Sequence, residues 1–126
     1  MRIGIDAMGG DDAPKAEVQG ALDACAQLNG DDKIVLVGDK EIILQHLAGN
    51  DGWEKHIEIH HASQAVGMNE SPVEALRTKP DSSIAVLVKL HKAREIDACI
   101  SAGNTGAFAA ASQMLLRLLQ GLRRPG

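Results

Sequence analysis

Short apolar runs alternate along the chain with segments in which apolar residues recur every three or four positions. The runs are typical of strands and the recurring spacing is typical of helices. Four strands are predicted, at residues 2–6, 33–38, 57–61 and 96–101. The second strand, Lys33–Gly38, contains four consecutive apolar residues, so both of its faces require burial, as in a parallel sheet covered by helices.

The periodic segments predict five helices, at residues 14–29, from Asp39 onward, at 72–78, from Ser82 or Ser83 to about 94, and at 104–120. Pro14 suits a first turn, Asp39 suits an N-cap, and Gly30 suits a helix end. Ser71 and Glu74, with Pro72 between them, have the spacing of a capping box. Three helices have an apolar stripe: Val18, Ala21, Leu22, Cys25 and Leu28 in the first, Ile43, Leu44 and Leu47 in the second, and Phe108, Ala111, Leu115, Leu118 and Leu122 in the last.

Strands followed by helices, repeated along the chain, indicate a parallel sheet with right-handed crossovers. We therefore expect a doubly wound α/β fold with helices on both faces, formed by one domain over residues 1–126. The last residues stand where the next strand of such a fold would begin, so we expect a chain that is incomplete at its C-terminus and part of a longer protein.

The composition argues against several classes of function. A net charge of −4 gives no overall attraction to DNA or anionic lipid, and Trp53 and Phe108 are the chain's whole aromatic content, which disfavours nucleic acid binding. The sequence has neither a secretory leader nor an apolar stretch long enough to span a bilayer, so we expect a cytosolic protein, with peripheral membrane contact left open. Cys25 and Cys99 fit no metal motif and are expected to be buried, reduced thiols; we expect no metal and no cofactor.

The turn at residues 101–107, after the fourth strand, has the residues of an anion site. Gly103 and Gly106 allow close approach of the backbone, and Ser101, Asn104 and Thr105 supply further donors at the beginning of a helix. A glycine turn with an ordinary polar cap is the alternative. In open α/β sheets ligands bind beyond the carboxyl ends of the strands, which is where this turn should lie.

A second glycine turn follows the first strand and contains Asp6, Gly9, Gly10, Asp11 and Asp12. It matches neither a dinucleotide fingerprint nor a P-loop, so nucleotide binding is poorly supported. Asp11 or Asp12 would serve equally well as a helix N-cap.

Two further groups of polar residues are weaker candidates for a binding or catalytic role. Residues 77–83 contain the cations Arg77 and Lys79 and the hydroxyls of Ser82 and Ser83, although a solvated loop would have the same composition. His60 and His61 are neighbours on a strand, so they face opposite ways and do not form a chelating pair. One of them is a candidate general base, and an ordinary polar strand end is the alternative.

Four motifs, at residues 5–11, 71–77, 81–83 and 101–107, stand in the order seen in bacterial phosphate:acyl-acyl carrier protein acyltransferases. The chain resembles that family over nearly its whole length. Members are well over twice as long, tend to have a basic residue at the position of Pro80 and Asn at that of Asp12, and continue as a strand at Gly126. The resemblance therefore supports no role for Pro80 or Asp12.

The resemblance implies an isocitrate dehydrogenase-like fold, also found in phosphotransacetylases, in a cytosolic homodimer that associates peripherally with the membrane. It implies transfer of a fatty acyl group from acyl carrier protein to inorganic phosphate. The acyl phosphate would pass to a glycerol-3-phosphate acyltransferase for phospholipid synthesis. A phosphotransacetylase-like enzyme using coenzyme A, or a non-catalytic phosphate-binding module, remains the alternative.

On this hypothesis, phosphate is held by Ser101, Gly103, Asn104, Thr105 and Gly106, and the catalytic residues are Asn104, Thr105 and Lys79. The substrate-site wall is then formed by Asp6, Gly9, Gly10, Asp11, Arg77, Ser82 and Ser83. The acidic carrier protein would dock on one of two groups of cations, either Arg117, Arg123 and Arg124 or Lys89, Lys92 and Arg94.

Overall fold

The computed structural model describes residues 1–123, and its centre is a sheet of four parallel strands. They are β1 (Arg2–Asp6), β2 (Lys33–Gly38), β3 (Ile57–His61) and β4 (Ala98–Ile100). Their order across the sheet is β3-β2-β1-β4. The predicted strands are confirmed, except that β4 is only three residues long instead of covering 96–101.

Residues 1–123 also form five α-helices, of which the first four lie between strands and the fifth follows β4: α1 (Lys15–Cys25), α2 (Lys40–Leu47), α3 (Pro72–Thr78), α4 (Ser83–Lys92) and α5 (Thr105–Leu116). A 3-10 helix lies at Trp53–Lys55. None of these described helices is long and apolar enough to cross a membrane. The parallel sheet with helices between its strands confirms the predicted α/β architecture.

The two faces of the sheet are covered by different helices. On one face, α1 and α2 contribute Val18, Ala21, Ile43 and Leu47 to a core shared with the β2 residues Ile34 and Leu36. On the other face, α4 contributes Val86, Leu87 and Leu90 to a core shared with Val35 and Val37. The side chains of β2 are thus buried on both faces, as its uninterrupted apolar sequence predicts.

Helices α3 and α5 form an outer layer against α4. Ala75 of α3, Ile84 and Val88 of α4, and Ala107 and Ala111 of α5 lie in one buried cluster. Small side chains on α5 allow its close approach to α4. This packing brings the beginnings of α3, α4 and α5 toward the carboxyl edge of the sheet.

Two of the predicted helices are shorter than expected. α1 ends at Cys25, because the N–H groups of Gln27 and Leu28 bond to carbonyls three residues back and form turns. α5 ends at Leu116, where Arg117 adopts a φ of 68° and breaks the helical geometry. Leu118 and Leu122 therefore lie outside the helix, and Leu122 is 57% exposed.

Three local expectations were wrong. Leu44 is 39% exposed. Ile43 and Leu47, four residues apart, form the buried face of the helix, and Leu44 lies to the side of that face. The capping box does not form: Ser71 makes no cap hydrogen bond, and the carboxylate of Glu74 faces Arg77 at 4.0 Å instead of reaching back. The cap position of α1 is occupied by Pro14 and has no side-chain cap, so neither Asp11 nor Asp12 serves there.

Candidate functional site

The loops after β1 and β4 lie side by side at the carboxyl edge of the sheet. Their strands pair in parallel, with Ile3 opposite Ala98 and Ile5 opposite Ile100. The two glycine turns found in the sequence are therefore neighbours in space, although 95 residues separate Asp6 from Ser101.

Asp6 and Ser101 form a hydrogen-bonded link between the two loops. Asp6 is fully buried, and its Oδ2 accepts from the Ser101 hydroxyl at 2.8 Å while its Oδ1 accepts from the Met8 N–H at 3.2 Å. The Ser101 Oγ in turn accepts from the Gly103 N–H at 3.1 Å. Because the hydroxyl has one hydrogen, Ser101 has no donor left for a ligand in this arrangement.

Backbone contact between the loops requires glycine on both sides. A Cβ added to Gly103 would lie 2.9 Å from the Gly9 Cα, and one added to Gly9 would collide with the Asp6 carboxylate. Gly10 has a φ of 139°, which side-chain-bearing residues rarely adopt. The glycines of the first turn thus permit close packing of the two loops.

Asn104 is a buried N-cap of α5, and its side chain is fully used within the protein. Its Oδ1 accepts from the Ala107 N–H at 3.0 Å. Its Nδ2 group donates to the carbonyls of Gly67, Met68 and Glu70 at 3.0 to 3.3 Å. Asn104 therefore clamps the loop before α3 to the beginning of α5.

The donors that remain open at this helix end belong to Thr105 and Gly106. Both residues are exposed, and their N–H groups have no acceptor among residues 1–123. Such N–H groups at the first helical positions, together with the helix dipole, attract anions. Gly106 also permits α3 to approach, since a Cβ there would lie 2.7 Å from the Pro72 Cγ.

Lys79 lies in an ion pair with Glu70, at 2.5 Å between Nζ and Oε1, and also donates to the Ala65 carbonyl at 2.9 Å. The Gly67 N–H donates to the same Glu70 oxygen at 2.9 Å. The bond from Lys79, and then that from Gly67, hold the pKa of Glu70 below its usual range. Lys79 is thus a neutralised cation linked through Glu70 to the Asn104 clamp.

The remaining predicted wall residues have different surroundings. Ser82 and Ser83 are fully buried at the beginning of α4, where the Ser82 Oγ accepts from the Ala85 N–H at 3.4 Å. Arg77 is exposed on α3 beside Glu74, and Asp11 is exposed. The structure therefore brings together Asp6, Gly9, Gly10 and residues 101–106, whereas Arg77 is exposed beside Glu74 and the two serine side chains are buried.

Sequence reasoning missed two acidic residues of this region. Glu70 has no local motif that marks it: Gly67 is a local partner, but Lys79 and Asn104 lie on other elements. Glu17 of α1 has a buried Oε2 with no hydrogen-bond partner among the described residues, and its Oε1 would lie 2.5 Å from a Cβ on Gly10. Burial is the main cause that raises the pKa of Glu17, and the charges of Asp6 and Asp12 raise it further.

The histidines and cysteines take part in other contacts. Both His60 and His61 are exposed, and the Nδ1 of His61 accepts from the Lys40 N–H at 3.2 Å. Cys25 and Cys99 are free and partly rather than fully buried, and burial raises the pKa of both thiols.

The fold combines cations from the two docking groups that the sequence predicted. Lys92, Arg94 and Arg117 line one open cavity of about 620 Å³, together with Ile96 and Leu115. Lys89 points elsewhere and donates to the Pro80 carbonyl at 2.6 Å. Arg123 is exposed, and Arg124 lies outside the described residues.

Comparison with known proteins adds independent evidence. Relatives named phosphate acyltransferase match the chain at 46% identity in Geobacter sulfurreducens, 44% in Methylococcus capsulatus and 43% in Oceanobacillus iheyensis. Each alignment covers 98 or 99% of this chain but 36% of the relative. The chain thus spans about a third of the length of the curated relatives it matches. The family model described as "Fatty acid synthesis protein" matches residues 1–126, and the chain belongs to that family.

Proposed function

We propose that the full-length protein transfers a fatty acyl group from acyl carrier protein to inorganic phosphate, giving acyl phosphate for phospholipid synthesis. The names of the relatives support an acyl transfer to phosphate, and the family description supports a role in fatty acid metabolism. The observation that carries the proposal is the pair of open N–H groups of Thr105 and Gly106 at the beginning of α5.

These two N–H groups would bind the phosphate. An oxyanion at a helix N-terminus accepts hydrogen bonds from backbone donors and lies at the positive end of the dipole. The Thr105 hydroxyl adds a third donor. The Ser101 and Asn104 side chains hold this turn in place and do not bind the phosphate, because their donors are already bonded to Asp6 and to the loop before α3.

The reaction needs no covalent enzyme intermediate. A phosphate oxygen attacks the thioester carbonyl, a C–O bond forms, the C–S bond breaks, and the thiolate leaves and takes up a proton. Cys25 and Cys99 do not suit a nucleophilic role because burial raises the pKa of both thiols. Catalysis would then rest on positioning the phosphate and the thioester and on stabilising the negative charge that develops on the carbonyl oxygen.

The other site residues receive supporting roles. Asp6, Gly9 and Gly10 form the facing wall, with Asp11 at its exposed edge. Lys79 offsets the charge of the Glu70 carboxylate, with which it forms an ion pair. Arg77, Ser82 and Ser83 take no part, because Arg77 faces Glu74 on an exposed helix surface and the two serines are buried.

For the cellular setting we propose a cytosolic homodimer that associates peripherally with the membrane and passes acyl phosphate to a glycerol-3-phosphate acyltransferase. The acidic carrier protein would dock at Lys92, Arg94 and Arg117, because these cations share one concave surface. Lys89 is excluded from this surface by its bond to Pro80.

The proposal is tested by assaying the purified full-length protein for acyl phosphate, trapped with hydroxylamine. Acyl carrier protein thioester and free coenzyme A thioester are compared as donors, each with and without phosphate. Phosphate-dependent turnover of the carrier protein thioester supports the proposal. Efficient use of coenzyme A thioester would assign a phosphotransacetylase-like activity instead, and no turnover with either donor would contradict both.

A further inference from the structure

Glu70 connects three parts of the molecule near the beginning of α5. Its Oε1 accepts from the Lys79 Nζ at 2.5 Å and from the Gly67 N–H at 2.9 Å. Its main-chain carbonyl accepts from the Asn104 Nδ2 at 3.0 Å. One residue thus joins the end of α3, the loop before α3 and the N-cap of α5.

The carboxylate of Glu70 also shapes the loop to which Asn104 is bound. The Glu70 N–H donates to the Gly67 carbonyl at 3.2 Å while the Gly67 N–H donates to the Glu70 side chain, so residues 67–70 form a closed turn. In this turn the carbonyls of Gly67, Met68 and Glu70 all point at the single Nδ2 group of Asn104. Without the Glu70 carboxylate, the three carbonyls would no longer be held in positions where all of them bind the Asn104 Nδ2 group.

The orientation of Asn104 decides which donors of α5 stay open. With Nδ2 bound to the turn, Oδ1 caps the Ala107 N–H and leaves the N–H groups of Thr105 and Gly106 uncovered. A rotated Asn104 side chain would place its oxygen or its amide group among those donors. A fixed Asn104 therefore preorganises the anion site.

We propose that Glu70 is a positioning residue for phosphate binding, which acts through the 67–70 turn and Asn104 and does not itself contact the phosphate. This inference rests on the proposed function. The ion pair with Lys79 serves the same purpose, because a lone carboxylate near the site would repel phosphate. The Lys79 contact holds the pKa of Glu70 down, so the carboxylate is ionised and neutralised by its partner.

The test compares Glu70→Ala, Glu70→Gln and Glu70→Asp in the full-length protein, with Glu74→Ala as the matched control on the exposed surface of α3. Phosphate KM, kcat at saturating phosphate, and Tm are measured for each. A merely structural role would lower Tm and the active fraction, hence kcat, but would leave the KM for phosphate unchanged.

We expect Glu70→Ala to raise the phosphate KM about tenfold, with kcat changed less than about threefold. Glu70→Gln should stay within about threefold in KM, because its amide oxygen still accepts from Gly67. Glu70→Asp, one methylene shorter, should behave like Glu70→Ala, and Glu74→Ala should match the unaltered protein.

An unchanged phosphate KM in folded Glu70→Ala overturns the inference, and if that variant does not fold, an unchanged KM in Glu70→Asp does so. An equal rise in KM for Glu70→Ala and Glu74→Ala also overturns it. These results require an active unaltered protein. Absence of activity in that protein would instead contradict the proposed function.

Discussion

The hydroxyl of Ser101 donates to the Oδ2 of Asp6 over 2.8 Å, and this bond joins the loop after β4 to the loop after β1. Asp6 is fully buried, so its carboxylate depends on protein donors in place of water. The link holds the two glycine turns together at the carboxyl edge of the sheet, directly before α5.

Replacing Ser101 with Ala should destabilise the protein by about 1–3 kcal/mol, because one oxygen of a buried carboxylate loses its donor. The free energy of unfolding in urea measures this. Ser71→Ala is the matched control and should cost less than about 0.5 kcal/mol, since the Ser71 side chain makes no cap hydrogen bond. Equal losses in the two variants would contradict the assigned link.

Replacing Gly103 with Ala should destabilise the protein by about 1–3 kcal/mol, because the new Cβ would lie 2.9 Å from the backbone of Gly9. Gly20→Ala should instead stabilise it by roughly 0.5–1 kcal/mol, since that glycine is inside α1 with open space around it. Thermal unfolding of the two variants distinguishes these effects. A stable Gly103→Ala protein would show that the loops do not touch.

Replacing Asn104 with Asp should cost about 2 kcal/mol even though Asp is a good N-cap. The carboxylate still accepts from Ala107, but it loses the Nδ2 donors and faces the carbonyls of residues 67, 68 and 70. Asp39→Asn is the control, since Asp39 only accepts, and it should change the unfolding free energy by less than about 0.5 kcal/mol. Similar small effects at both caps would refute the Asn104 clamp.

Replacing Glu17 with Gln should stabilise the protein at neutral pH and not at acidic pH. Burial raises the pKa of Glu17 in the folded protein above its ordinary value of 4.5, so the folded state binds this proton more tightly than the unfolded state does. Stability is therefore lost as pH rises from about the ordinary value through the folded pKa. Glu17→Gln removes that loss.

Urea unfolding at pH about 7 and about 4 tests this effect, with a gain of about 1 kcal/mol expected at the higher pH only. Glu54→Gln, on an exposed residue, is the control and should show no gain. The same gain for Glu17→Gln at both pH values would mean that its charge is not the cause.

Patterns that depend on neighbouring residues predicted the fold well. The apolar run of β2 indicated burial on both faces, and Asp39 indicated the beginning of α2, because strand periodicity and helix caps are local properties. The helix ends at Cys25 and Leu116 were not predictable in this way. Both ends depend on where tertiary packing stops supporting the helix. The helix propensities of the following residues would have allowed each helix to continue.

The candidate site was predictable in part. The sequence indicated Asn104 at a helix beginning, but the partners that occupy its Nδ2 group lie 34 to 37 residues earlier in the chain. The ion pair of Lys79 with Glu70 and the isolated oxygen of Glu17 likewise depend on tertiary contacts. Residue type at a turn therefore indicated an anion site without showing which donors remain open.

The central claim is that the backbone N–H groups at the beginning of α5 bind phosphate, and Thr105→Pro tests it most directly. Thr105 is the first helical residue, where proline is well tolerated, and Asn104 before it is already extended. Thr105→Val is the matched control, because it removes the hydroxyl and keeps the N–H. The phosphate KM of the full-length protein should be about tenfold higher for Thr105→Pro than for Thr105→Val, with similar unfolding free energies. Equal phosphate KM values for the two variants would contradict the account.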